Sequence, residues 1–221
     1  MVFYKKINGR IIVKNLSEEL QTYKENPGEL YSRGFFKDIL KAKRWQLPLG
    51  KKIAELYGFE SVVDFGCASG YYLEGFHQGG AKIRGFEYLL ENSIDFMSDA
   101  IKPYVEQGNV MENIDCGKFD LSMSIEVAEH ILPEKSDVFV TNLVNASNKY
   151  ILLTAAPPGQ GGTGHINEQP KEFWIDKIEA YGFKFSTEGV KKIQASFIKV
   201  PSTTKYTRLI RRQIMFFVKG D

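Results

Sequence analysis

The chain reads as a doubly wound α/β domain built on a mostly parallel sheet, and three observations predict it. Short apolar, β-favouring runs alternate with stretches of helical periodicity from residue 61 onward. One of these runs, Ser61 to Phe65, breaks into the turn Gly66-Cys67-Ala68-Ser69-Gly70 and then into a helix. The 221 residues suffice for one well-buried domain and are too few for two ordinary ones.

In chain order, residues 1–58 are charged and aromatic and predict a helical extension. Phe35 to Trp45 has helical spacing, Pro48 separates it from a second helix over Leu49 to Tyr57, and Gly58 ends that helix. The remainder, 59–221, predicts strands near 61–65, 82–87, 103–106, 119–125 and 149–154, with helices near 71–78, 91–98, 133–147 and 170–181. Such alternation implies a parallel sheet covered on both faces. Phe183 to Ser186 and Arg212 to Val218 are strand-like and close the chain, joined by a segment that includes Val190 to Ile198. Pro157 to Gly164 is a glycine-rich loop following a strand.

The formal net charge of +2 gives no prompt for a polyanionic partner, so nucleic acid is possible but not favoured. Two cysteines, Cys67 and Cys116, make no disulfide framework, and no apolar run reaches the length of a membrane span or a signal core. The expectation is a soluble, cytoplasmic protein.

The turn after Phe65 carries the first chemistry. Gly66 and Gly70 permit backbone conformations and close ligand approach that a Cβ would obstruct, and the helix opening at Tyr71 can turn its first amides toward a polar ligand. The spacing Asp-x-Gly-x-x-x-Gly differs from the Gly-x-Gly-x-x-Gly of dinucleotide sites, and Asp64 would repel a phosphate while suiting a cationic ligand.

Asp64-Phe65-Gly66-Cys67-Ala68-Ser69-Gly70 resembles the first motif of the class I S-adenosylmethionine-dependent methyltransferases, and Lys82 to Glu87 resembles the second. The resemblance implies a Rossmann-like sheet of seven strands with an antiparallel C-terminal strand. It also implies a donor site of Asp64, Gly66, Cys67, Ser69, Gly70, Tyr72, Glu87, Tyr88, Asn109 and Ile125. Within it Glu87 holds the ribose hydroxyls, and Asn109 stands where many members have an acid against adenine.

Ser124-Ile125-Glu126-Val127-Ala128-Glu129-His130 places two carboxylates and an imidazole at i, i+3 and i+4, one face of a helical turn. Two oxygens and a nitrogen suit Mg²⁺ or Mn²⁺ more than structural Zn²⁺. The Glu-x-x-Glu-His pattern resembles methyltransferase branches that act on the terminal ribose of small RNAs or on catechol-like quinone precursors, where these residues accompany a divalent ion. His165 is the candidate for a further histidine of the RNA branch. The metal set is then Glu126, Glu129, His130 and His165. The competing roles are a metal-free base, for which His130 or His165 has the right ordinary pKa, and plain structure.

A divalent ion would stabilise the alkoxide of an attacked hydroxyl, and a vicinal diol could chelate it. Residues 157–174 resemble glycan-decorating O-methyltransferases, including those of large viruses, which makes a sugar or glycan hydroxyl the expected acceptor. Terminal ribose, a quinone precursor or natural product, and a regulatory subunit that only binds the donor are the alternatives.

Three further readings are structural. Asp120 opens the fourth strand and faces the sheet's other end, Phe35, Phe36 and Trp45 fit a core as well as a lid, and Arg208, Arg211 and Arg212 form a basic cluster on a solvated face.

Overall fold

The computed structural model describes residues 2–7, 10–15, 20–21, 27–200 and 205–220. Two sheets are present among them: a hairpin of β1 (Val2–Ile7) and β2 (Arg10–Asn15), and a seven-stranded sheet of order β5-β4-β3-β6-β7-β9-β8. Its strands are β3 (Ser61–Phe65), β4 (Lys82–Glu87), β5 (Val105–Gln107), β6 (Phe119–Ser124), β7 (Ser147–Leu153), β8 (Phe183–Phe185) and β9 (Met215–Lys219). β3 to β7 pair in parallel, and β9 runs antiparallel between β7 and β8. The expected seven-stranded sheet with its antiparallel C-terminal strand is the one observed.

The extension differs from the sequence reading in two ways. It begins with the β1–β2 hairpin, which precedes its helices. Pro48 separates nothing: after a helix at Arg33–Ile39 and a 3₁₀ turn, Lys43–Tyr57 is one continuous helix with Pro48 inside it. Proline removes one backbone donor there, and the helix is held regardless by burial of Trp45, Leu49, Ile53 and Ala54 against the sheet. Gly58, at φ +63°, ends it as expected.

The Lys43–Tyr57 helix lies on Tyr71–Gln78, the helix after the glycine turn, through two facing glycines. A Cβ on Gly50 would stand 2.4 Å from the Tyr72 carbonyl oxygen, and one on Gly75 would stand 2.2 Å from that of Leu47. Backbones this close admit no side chain. Trp45 packs edge-on to Tyr72, so the sequence's alternative of a lid gives way to core for Trp45 and Phe36.

Two apolar clusters cover the two faces of the sheet. The extension helix, Tyr71–Gln78, Thr187–Ser196 and Lys205–Gln213 share one with Val62, Leu121 and Phe216; Ser136–Ala146 and Lys171–Glu179 share the other with Val63, Phe65 and Ile151. Residues 91–98, expected as a helix, form only Leu90–Ser93 and a 3₁₀ turn. Arg212 belongs to the Lys205–Gln213 helix and not to the last strand. Asp120 accepts the Glu60 amide at 3.0 Å and pairs with Lys149 at 2.9 Å, which is the structural role expected of it. Among the described residues no helix is long and apolar enough to cross a membrane.

Candidate functional site

The carboxyl ends of β3, β4, β6 and β7 converge, and their loops carry most of the singled-out residues. After β3 the chain turns sharply because the amides of Gly66 and Cys67 both donate to the Phe86 carbonyl, at 2.8 and 3.0 Å. Gly66 has φ +83°, Gly70 has φ +69°, and Ala68 between them is also left-handed at +49°. A Cβ on Gly66 would stand 2.6 Å from Val127, and one on Gly70 would stand 2.3 Å from Ile101. Conformation favours glycine at both positions, and at Gly66 the β-branched Val127 leaves no space for a Cβ either.

Asp64 is buried at the end of β3, and its Oδ1 has no hydrogen-bond partner among the described residues. Burial, and then the Glu87 charge, hold its pKa well above the usual carboxylate range. An orphaned buried acid beside a glycine turn fits a ligand that brings a cation and donors. Glu87 straddles the turn: Oε2 accepts from the Ala68 amide at 2.9 Å and Oε1 from the Leu89 amide at 3.0 Å. A carboxylate has about four acceptor positions, so capacity for a hydroxyl donor remains beside these amides.

The other donor-site candidates divide. Ser69 is buried in the turn. Cys67 is buried too, and its thiol pKa is pushed well up by burial and then by Asp64 and Glu87, so it is no nucleophile. Tyr72 lies between the two halves of the site: burial raises its pKa, and so do the charges of Tyr206, Glu126 and Asp64. Tyr88 is exposed beside Glu87. Ile125 lines an apolar cavity with Tyr72, Met123 and Thr154. Asn109 is engaged in its own turn, where Oδ1 accepts the Met111 amide at 3.0 Å and Nδ2 donates to Glu112 at 3.2 Å.

The segment after β6 is not the helical turn the spacing suggested. Glu126 is left-handed at φ +58°, and only Ala128–His130 forms a 3₁₀ turn, so the three side chains do not share a helix face. Glu126 is held by Thr154, whose hydroxyl accepts the Glu126 amide and donates to its Oε1, both at 2.8 Å. Burial outweighs that hydrogen bond and raises the Glu126 pKa to about 7.

Glu129, His130 and His165 do come together. Each offers a ligand atom within 4.8 Å of the others, and the imidazoles stack edge to face at 4.9 Å. Glu126 stands outside this group. The His165 loop is pinned because the amides of Ile166 and Asn167 both donate to the Glu129 carbonyl at 3.0 Å. Glu129 is buried, its Oε2 lacks a partner among the described residues, and its pKa is raised first by burial and then by Glu126. One orphaned carboxylate oxygen beside two imidazoles is a donor set for a divalent transition metal with open positions.

Surrounding protein, and then His165, lower the His130 pKa to about 3. That corrects the reading of His130 as a base with a near-neutral pKa: a ring so reluctant to take a proton is better suited to offering a lone pair. Its Nδ1 lies 3.0 Å from the Gly164 carbonyl, and a proton on Nδ1 would satisfy that acceptor and leave the lone pair on Nε2. The Tyr31 hydroxyl stands 2.8 Å from the same nitrogen. The carboxylate of Glu168 plays the corresponding part at His165, 2.8 Å from Nδ1.

Sequence reasoning missed Tyr31 and Glu168. Glu168 is three residues from His165 and lay within reach of a local reading; Tyr31 is 99 residues from His130 and had no such signal.

No protein-family model matches the chain, and no curated protein matches it. Solved structures do. Magnesium protoporphyrin IX methyltransferase from Synechocystis PCC 6803, with bound SAH, superposes with a TM-score of 0.59 at 15% identity, over 92% of this chain and 100% of that one. The fold is that of the class I methyltransferases. An O-methyltransferase family protein from Burkholderia thailandensis gives 0.59 at 12% identity, over 99% of this chain and 80% of that one. The 1,6-didemethyltoxoflavin-N1-methyltransferase of Burkholderia thailandensis, with that compound and S-adenosylhomocysteine bound, gives 0.53 at 13% identity, over 93% and 87%. The two acceptors named, a magnesium porphyrin and a toxoflavin precursor, are unlike each other, so the fold leaves the acceptor to be argued from the site.

Proposed function

We propose that the chain is an S-adenosylmethionine-dependent O-methyltransferase that uses a divalent metal ion and acts on a vicinal diol, with a sugar or glycan hydroxyl as the acceptor. The observation that carries the reading is the convergence of two half-sites at one sheet edge. The glycine turn with Glu87 and the orphaned Asp64 oxygen is one, and buried Glu129 with half-buried His130 and His165 is the other.

On the donor side, Gly66 and Gly70 let the backbone approach the ligand, Asp64 faces its cationic methionine part, and Glu87 accepts from the ribose hydroxyls. The donor supplies an electrophilic methyl on a sulfonium. The acceptor oxygen bonds to that carbon as the sulfur–carbon bond breaks, the electron pair stays on sulfur, and S-adenosylhomocysteine leaves.

On the acceptor side, Glu129, His130 and His165 would hold the ion, whose chemistry is to favour the alkoxide form of a hydroxyl. With two imidazoles and one carboxylate, this set suits Mn²⁺ better than Mg²⁺, which prefers oxygen ligands. Glu126 adds a half-buried carboxyl near the group, and its charge raises the pKa of both Tyr72 and Tyr206.

The test is transfer of labelled methyl from S-adenosylmethionine to glycan fragments, terminal-ribose oligonucleotides and catechols, with Mn²⁺ and with chelator. Chelator-sensitive labelling of a glycan diol is the expected result. Labelling that resists chelator would remove the metal, labelling of the oligonucleotide or catechol alone would replace the acceptor class, and donor binding with no labelling would favour a regulatory subunit.

A further inference from the structure

The loop that delivers His165 is poor material for a fixed ligand. It carries glycines at 159, 161, 162 and 164, three of them in left-handed conformation, and such a chain loses much conformational freedom when ordered. One side chain does a large share of the ordering. Glu168 Oε2 accepts the Gly159 amide at 2.8 Å, and Oε1 accepts the Gly161 amide at 2.6 Å and meets His165 Nδ1 at 2.8 Å. The side chains of His165 and Glu168 are only 11% and 9% exposed, so the contact between them is largely sheltered from water, while the two glycine amides lie at the surface.

The chemistry of that carboxylate settles the state of the ring. Glu168 can only accept, so His165 carries its proton on Nδ1 and its lone pair on Nε2. Space is kept at that edge: a Cβ on Gly162 would stand 2.1 Å from His165 Nε2, so no side chain fits between. At His130 a proton on Nδ1 would likewise meet the Gly164 carbonyl, 3.0 Å away. Glu168 itself is outside the group of ligand atoms.

We propose that Glu168 is a positioning residue for the metal centre: it orders the Gly159–His165 loop and fixes His165 in the tautomer that ligates a divalent ion. The inference rests on the metal reading above. A hydrogen-bonded carboxylate behind an imidazole ligand fixes its orientation and makes it more basic, and loss of such a partner commonly weakens metal affinity about 10- to 100-fold.

The experiment uses the full chain, metal-free and with Mn²⁺, in Glu168→Leu, Glu168→Gln and His165→Ala. Nitrogen-15 shifts of labelled histidine in the metal-free protein read the tautomer, and electron paramagnetic resonance of free Mn²⁺ reads its affinity. In the wild type His165 is expected as the Nδ1-protonated form; in Glu168→Leu it becomes a mixture, Mn²⁺ affinity falls about 10- to 100-fold, and S-adenosylhomocysteine binding is unchanged. In a His165→Ala background Glu168→Leu is expected to add almost nothing, because its effect runs through that ring. Glu168→Gln keeps one acceptor and falls between, and it carries the test if the leucine variant does not fold.

Wild-type tautomer and Mn²⁺ affinity in Glu168→Leu would overturn the proposal, as would an equal further loss in the His165→Ala background. A wild type that binds no Mn²⁺ would sink the metal reading alone, and the tautomer would still decide whether Glu168 sets the ring.

Discussion

Gly161 and Gly164 allow the contact at His130 to be weighed against a matched control. Both are left-handed, at φ +66° and +70°. Alanine in that region costs about 1–2 kcal/mol, and the smaller unfolded-state entropy returns roughly 0.5–1 kcal/mol, for a net near 1 kcal/mol. At Gly161 nothing lies within 4 Å of an added Cβ, so that is the whole effect. At Gly164 the Cβ would stand 2.0 Å from the Tyr31 hydroxyl and 3.4 Å from His130 Nδ1. The ring must retreat until its 2.8 Å contact with His130 is broken, which adds about 1–2 kcal/mol. At about 2–4 °C per kcal/mol for a chain of this size, Gly161→Ala should melt about 2–4 °C lower and Gly164→Ala about 4–12 °C lower. Differential scanning calorimetry of both variants checks this, with Mn²⁺ affinity falling only in Gly164→Ala. Equal losses in the two would refute the reasoning, because they would mean that Tyr31 does not press on Gly164 in solution.

Gly75→Ala should destabilise by about 1–3 kcal/mol despite alanine's better helix propensity, because its Cβ meets backbone atoms of the facing helix; exposed Gly34, with its nearest atom at 3.4 Å, should gain stability from the same change, and thermal melts decide. Glu87→Gln should weaken S-adenosylhomocysteine binding about tenfold or more by calorimetry, since it removes a charge-assisted acceptor; unchanged affinity would take Glu87 out of the donor site. Burial opposes ionisation of Asp120, but the hydrogen bond from Lys149 and the Glu60 amide win and set its pKa below the usual value. The stability it contributes is therefore present at neutral pH and fades as pH falls through the carboxylate range toward the depressed pKa. Asp120→Asn should melt below wild type at pH 7, and the gap should narrow as pH falls through the carboxylate range.

The donor half was legible because its requirements are local. β3, β4 and the helix at Tyr71–Gln78 have the bounds that alternation and the glycine turn suggested, and both glycines of that turn, Gly66 and Gly70, have positive φ. The hairpin was legible too and was passed over: Ile7 pairs with Arg10, so the intervening residues are Asn8 and Gly9, a strong short-range hairpin signal. Pro48 misled because propensity was allowed to outrank burial; Trp45, Leu49 and Ile53 keep the helix whole.

The acceptor half shows why spacing alone fails at such a site. Glu126, Glu129 and His130 share a face only if the backbone between them is helical, and the left-handed Glu126 breaks that phase. With the phase broken, Thr154 takes Glu126 at the end of β7, and the third candidate ligand comes from His165 on the loop beyond. Of the four ligands nominated, Glu126 falls outside the group, and the one oxygen and two nitrogens that remain favour Mn²⁺ over Mg²⁺. The tautomers of those two rings depend on Gly164, Tyr31 and Glu168, drawn from a loop and from the extension. A ligand set assembled from two segments and braced by a third has no periodicity to read, so its members can be nominated from residue type but their grouping follows only from the packed chain.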